Sequence, residues 1–155
     1  LPPFCFVWAN LNLERKRFFS FEAKPEGYGT VYFHISFVLL LTLFWEIPYR
    51  YHAAVGGLSM AWGDPLAALV GKRWGRHFYR IGITQKSWEG SLAMLAGTFV
   101  ASVMAFLLFE PGRPGIILWS ALVALIATGL ESISGRGIDN LTVPLGSAGI
   151  SYLLM

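Results

Sequence analysis

Asp64 is the residue of this chain hardest to explain as scaffolding, because it is the single charge in the apolar run Ala53–Val70. A carboxylate within a membrane-like run is costly and marks a functional candidate. It lies about six residues, roughly 9 Å, from the run's basic-side end. In Trp62-Gly63-Asp64-Pro65 the glycine permits close approach, and the proline, lacking an N–H, is expected to kink or break the helix. The plainer alternative is that Asp64 caps a helix restart or pairs with Arg73.

Three further segments carry chemistry at useful spacing. Gly71-Lys72-Arg73-Trp74-Gly75-Arg76 reads as a compact loop with two glycines and three cations. Backbone donors and fixed cations of that kind suit polyphosphate, although the same charges would also sit on anionic lipid head groups. Lys86-Ser87-Trp88-Glu89-Gly90-Ser91 opens the next apolar run. Ser87 can cap a helix there, leaving amide groups and Lys86 toward an anion; the alternative is a capped helix with an ordinary flanking lysine. A Walker A loop would need glycines where Arg80 and Gln85 stand, which disfavours a P-loop fold. The last segment is Glu131-Ser132, a short loop, then Ile138-Asp139-Asn140-Leu141-Thr142-Val143-Pro144. Glu131, Asp139 and Asn140 offer oxygen ligands on the face shared by Asp64 and Glu89. Hard donors beside a cationic phosphate site imply a Mg²⁺-assisted reaction on a nucleotide or phospholipid. Taken alone, Asp139-Asn140 is as good a helix start as a metal site. His34, His52 and His77 share no ligand spacing, and lone Cys5 permits neither a disulfide nor a cysteine metal site within the chain.

These residues need elements to hold them, and composition says which. Hydrophobic residues make up 55% of the 155, charged residues 14%, and mean hydropathy is +0.55. Soluble domains carry about 25% charged residues, so the bilayer is the expected solvent. The predicted fold is an all-α polytopic bundle, with spans near 28–45, 53–70, 88–109 and 116–131. A fifth, 144–155, is cut short: its 12 residues rise only about 18 Å. Residues 1–27 read as an N-terminal interfacial or truncated segment, and 28–155 as the membrane domain. A start at Leu1 and an end inside an apolar run suggest a longer parent protein. Leu1–Leu13 has neither the basic start nor the small-residue cleavage site of a signal peptide.

Charge orients the bundle. Arg15, Lys16, Arg17, Lys24, Lys72, Arg73, Arg76, Arg80, Lys86 and Arg136 fall on one side of the four-span arrangement, with only Arg50 and Arg113 opposite. That asymmetry makes the basic side, which carries every candidate site, cytoplasmic or its equivalent. It also accounts for a net charge of +3 without nucleic acid as a partner. Small residues at Gly90, Ala93, Gly97, Ala101 and Ala105, and at Ala53, Gly57 and Ala61, predict two close-packing stripes.

Taken together, Gly63-Asp64, the Gly71–Arg76 segment, Lys86-Ser87-x-Glu89-Gly90-Ser91 and Glu131…Asp139-Asn140-Leu141-Thr142-Val143-Pro144 resemble the phytol kinase, dolichol kinase and CTP-dependent diacylglycerol kinase family. That family is related to the phosphatidate cytidylyltransferases. The resemblance runs from about Gly27 to the C-terminus. Tyr28-Gly29-Thr30-Val31-Tyr32 and the Asp139–Pro144 ending look most like the phytol kinase branch. It implies CTP-dependent phosphorylation of a long-chain isoprenoid alcohol, phytol first, at the membrane surface, with release of CDP. On that expectation Asp64, Lys86 and Asp139 are catalytic. Asp64, Glu131, Asp139 and Asn140 hold Mg²⁺, and Gly71, Lys72, Arg73, Gly75, Arg76, Ser87, Glu89, Gly90 and Ser91 bind the nucleotide phosphates. Alternatives are a cytidylyltransferase, a diacylglycerol kinase, or a non-catalytic membrane scaffold or transporter. The long Asp-rich signature of true cytidylyltransferases is absent, which weighs against the first.

Overall fold

A computed structural model describes residues 28–46, 48–81, 84–135 and 137–154. The N-terminal segment 1–27, with Cys5, Arg15, Lys16, Arg17 and Lys24, lies outside the described residues, as does Arg136.

The chain is a helix bundle. Helix α1 spans Gly29–Leu43 and α2 spans Arg50–Leu58. A π-helical turn, Ser59–Gly63, joins α2 without a break to α3, Asp64–Trp74. Two short strands follow, β1 Phe78–Ile81 and β2 Thr84–Ser87, then α4 Trp88–Phe109, α5 Ile116–Ile133 and α6 Asp139–Leu153. Three helices are long and apolar enough to cross a membrane: Arg50–Trp74, Trp88–Phe109 and Ile116–Ile133. With its 15 residues, α1 is apolar but rises only about 22 Å, short of the roughly 30 Å hydrocarbon core.

Helix α4 packs along α5 and the Arg50–Trp74 helix, while α6 lies against α1, α2 and α5. Small residues set these distances. A Cβ on Gly56 would strike the carbonyl oxygen of Pro144 and come within 3.1 Å of Leu40, so α1, α2 and α6 converge there. At the α3–α4 crossing, a Cβ on Gly97 would lie 3.4 Å from the Cα of Gly63. The stripe expected on α4 faces inward, with Gly90, Gly97, Ala101 and Ala105 buried. The stripe expected at Ala53, Gly57 and Ala61 does not: Gly57 meets nothing within 4 Å, and the contacting glycines are Gly56 and Gly63. The seven-residue Gly56–Gly63 spacing spans the π turn, whose extra residue displaces the buried face from simple four-residue counting.

Both prolines differ from expectation for related reasons. Pro65 falls in the first turn of α3, directly after the π turn, so the helix runs on instead of breaking. The wider turn relieves the conflict between a proline ring and the preceding backbone. Pro144 lies inside α6, which opens five residues earlier at Asp139. There it removes a single bond to the carbonyl of Asn140, near a helix start where the cost is smallest.

The segment expected as a compact loop, Gly71–Arg76, is helical over its first four residues. Residues Gly71–Trp74 complete α3, and the strands form an antiparallel hairpin pairing Phe78 with Ser87, Tyr79 with Lys86, Arg80 with Gln85 and Ile81 with Thr84. Two strands alone are marginal in water. This pair is fastened to the bundle by side chains described below.

Candidate active site

Four elements meet at one end of the bundle: the start of α3, the hairpin, the start of α4 and the end of α5. They enclose a cavity of about 370 Å³ whose lining includes Asp64, Lys72, Lys86, Ser87, Ser91 and Glu131. Gly71 and Gly90 give it a backbone floor, because a Cβ on Gly90 would lie 2.9 Å from the carbonyl oxygen of Ala67 and 3.3 Å from the Cα of Gly71.

Lys86 is the centre of the charged group. Its Nζ donates to Glu131 Oε1 at 2.6 Å and to the main-chain oxygen of Glu131, and it stands 3.9 Å from Asp139 Oδ2. The Lys86 side chain is 12% exposed and that of Glu131 9%, so this is a buried ion pair. Such pairs form only when the partners neutralise each other in place. The second carboxylate oxygen of Glu131 is buried and has no hydrogen-bond partner among the described residues. Asp64, half-buried in the cavity wall, is within Coulombic reach of Asp139, Glu131 and Lys86.

The phosphate-handling candidates divide. Ser87 caps α4 as expected, its Oγ accepting from the N–H of Gly90 at 3.1 Å. That cap turns the positive end of a 22-residue helix dipole toward Gly71 and the cavity. Lys72 lines the same wall. Arg73 lies over the ring of Trp74 at 5.2 Å, outside the lining. Gly75 packs against Ser87, and a Cβ there would strike the carbonyl oxygen of Gly71. Arg76 is exposed, beyond the lining as well. Glu89 accepts from the N–H of His77 at 3.2 Å and approaches its Nδ1 at 2.7 Å, tying the base of the hairpin to α4. Ser91 lines the cavity, but its hydroxyl lies 2.6 Å from Tyr79 Oη.

Asp139 and Asn140 stand just behind Lys86, at the opening of α6. Asp139 Oδ1 accepts from the N–H of Asn140, and Asn140 Nδ2 donates to the main-chain oxygen of Gly29 at 3.0 Å. That bond seats the first turn of α1 against the start of α6. Gly137 makes the approach possible: its φ is +83°, and a Cβ there would lie 2.6 Å from the Cα of Gly29.

Ala67, Ala68, Phe78 and Gln85 complete the lining. The sequence offered only a weak signal for them, two alanines in an apolar run and four-residue strands too short for a clear alternation. Among the described residues no group of three or more His, Cys, Asp or Glu is arranged to hold a metal ion. Mg²⁺ does not need one, since it commonly takes one or two carboxylates and fills its shell with phosphate oxygens and water. Asp64 in the wall and the partnerless Glu131 oxygen fit that requirement.

An apolar bundle that buries a lysine between carboxylates at one end is an integral membrane protein with a built polar site. Comparison with known proteins makes the class more specific. The chain is 50% identical over 127 residues to the phytol kinase of Synechocystis, an alignment covering 81% of this chain and 54% of that protein. It is 32% identical over 149 residues to a probable chloroplastic phytol kinase of Zea mays, covering 86% and 46%. To the CTP-dependent diacylglycerol kinase 1 of Schizosaccharomyces pombe it is 30% identical over 137 residues, covering 82% and 60%. The chain belongs to the polyprenol kinase family, which joins these lipid kinases. It spans about half the length of the phytol kinases it matches. No family model matches the chain, and no solved structure matches it.

Proposed function

We propose that the protein of which this chain is part transfers the γ-phosphoryl group of CTP to a long-chain isoprenoid alcohol, phytol foremost, giving the alkyl monophosphate and CDP. The observation carrying this reading is Lys86 held between Glu131 and Asp139 in a cavity that Asp64 also lines. Its relatives supply the chemical classes: phytol kinases name the acceptor, and a CTP-dependent diacylglycerol kinase names the donor.

The chain's own residues divide the work. Lys72 and Lys86, with the capped start of α4 behind Ser87, hold the phosphates and neutralise charge as CDP departs. Gly71 and Gly90 let the phosphates approach main chain. Asp64 accepts the hydroxyl proton of the alcohol as its oxygen bonds to the γ-phosphorus and the bridge to the β-phosphate breaks. The alkyl tail stays among lipid-facing helices. Asp64 and Glu131 would hold Mg²⁺, which when bound offsets phosphate charge, while Asp139 and Asn140 stand behind Lys86 at the start of α6. Arg73 and Arg76 stand further out and draw the nucleotide in. Glu89 acts on the site through His77 and the hairpin. The basic end, and the site with it, faces the cytoplasm or its equivalent.

The full-length protein in membranes, given labelled CTP, Mg²⁺ and phytol, should release CDP and phytyl phosphate. Pyrophosphate and a CDP-lipid would mean nucleotidyl transfer instead. Phosphorylation confined to diacylglycerol would move the protein to the glycerolipid branch, the second reading that the 30% identity to diacylglycerol kinase supports. No turnover of CTP with any alcohol would leave a scaffold or transporter.

A further inference from the structure

Lys86 belongs to a two-stranded hairpin with a two-residue connection, an element with little stability of its own. A lysine with four rotatable bonds on so slight a support needs something to fix its approach to Glu131. Tyr79 is its direct cross-strand partner and shares its face of the hairpin. The Tyr79 hydroxyl donates to Ser132 Oγ at 3.1 Å. With its one proton so committed, it accepts from Ser91 Oγ, 2.6 Å away. Ser91 lies on α4 and Ser132 on α5, directly after Glu131. The ring packs at 5.2 Å against Trp88, at the base of α4.

We propose that Tyr79, through Ser91 and Ser132, is the positioning residue that fixes the hairpin to α4 and α5 and so delivers Lys86 to Glu131. Tyr79 touches neither substrate; it acts through Lys86, and this role rests on the reading of Lys86 as a phosphate-handling cation. The clamp also gives the Ser91 hydroxyl its work, as a strut rather than a phosphate ligand. Ser132, next to the carboxylate that receives Lys86, keeps both ends of the ion pair in one frame.

The test uses the full-length protein in membranes and the variant Tyr79→Phe, which keeps the ring on Trp88 and removes the hydroxyl. Turnover should fall about 10- to 100-fold, the scale of a small misplacement of a reacting group, with protein abundance unchanged. Ser132→Ala should produce a similar loss, and the two together little more than either. In a Lys86→Ala background, Tyr79→Phe should cost almost nothing further. A loss that multiplies in full onto Lys86→Ala would overturn the proposal, because Tyr79 would then serve the fold and not Lys86. A second arm needs no turnover: acylation of Lys86 by an amine-reactive reagent, followed by mass spectrometry. The reaction should quicken several-fold in Tyr79→Phe, and an unchanged rate would also overturn the clamp. Faster acylation in a protein inactive with every donor and alcohol would support the clamp while removing the proposed reaction.

Discussion

The two ends of this bundle are built from opposite materials. At one, Lys86, Glu131 and Asp64 line a cavity, with Asp139 behind Lys86. At the other, Phe44, Tyr49, Tyr51 and Tyr152 close around His52, which is 1% exposed and lies 2.7 Å from Ser151 Oγ. Tyr51 and Val55 extend that end into a core with Ala105, Phe106 and Val123. Arg50 stays at its surface, over the ring of Trp45 at 5.1 Å and bonded to the main-chain oxygen of Trp45. Among the described residues, the aromatic end buries only neutral polar groups, His52 on Ser151 and the small hydroxyls of Ser102 and Ser120, and leaves Arg50 exposed. The charged end places a cation and carboxylates where desolvation is costly, and there one carboxylate oxygen, Glu131 Oε2, is buried with no hydrogen-bond partner among the described residues. A bundle needing only stability could close both ends with rings, so the buried charges at this end support the proposal that it is the working end.

Substitutions that touch only one end sharpen this contrast. The largest effect belongs to Asp64→Asn, which keeps size and polarity but removes the charge. CDP release should disappear while insertion and abundance hold, since a neutral amide is no costlier to bury in a membrane span than a carboxylate. Near-parental turnover by this variant would make Asp64 structural. Lys86→Ala should come next, with a loss on the order of 10²-fold or more. It also leaves Glu131 buried and unpaired, so turnover must be normalised to folded protein. At the aromatic end, His52→Ala opens a cavity among rings and strands the Ser151 hydroxyl. Thermal or denaturant unfolding should show a loss of about 2–4 kcal/mol. Turnover per folded molecule should stay within a few-fold; a collapse matching Lys86→Ala would erase the distinction between the ends. The smallest perturbation is a label. Single cysteines at the exposed positions 50 and 76, in a Cys5-free background, should react with an impermeant reagent from opposite faces of the membrane. Labelling of both from one face would contradict the arrangement of the spans.

Much of this was legible in the residues because the signals were local or compositional. Apolar runs, the charge asymmetry and the Ser87 cap each depend on a few neighbouring positions, and the bundle, its two ends and the α4 start follow from them. Asp64 stood out for the same reason, as a charge in an apolar run. The Lys86–Glu131 pair joins residues 45 apart and depends on how the hairpin docks, which no spacing rule supplies. The hairpin itself has four-residue strands, below the length at which alternation becomes readable. Gly56 and Gly57 are indistinguishable as neighbours in the chain, yet only Gly56 meets another helix, because the docking of α2 on α1 and α6 decides which face is buried. Asp139 was legible as a helix start and as an acid, while its place 3.9 Å from Lys86 awaited the fold.

That π turn has a further consequence. Ser59–Gly63 holds one more residue than an α-helical turn would, and each residue of an α-helix advances the side chains by about 100°. The insertion therefore works as a phase setting between the two halves of a single rod. The outer half, α2, is timed so that His52, Val55 and Gly56 point inward. The inner half is offset so that Asp64, Ala67, Ala68 and Gly71 come round to the cavity. Winding the same five residues as ordinary α-helix would leave every side chain in place by name, yet all of α3 would be rotated by about a quarter turn, with Asp64 aimed away from Lys86. Deleting one exposed residue, such as Ala61, would instead close the wide turn and keep α3 in phase. The rod is keyed, and the key is a single residue.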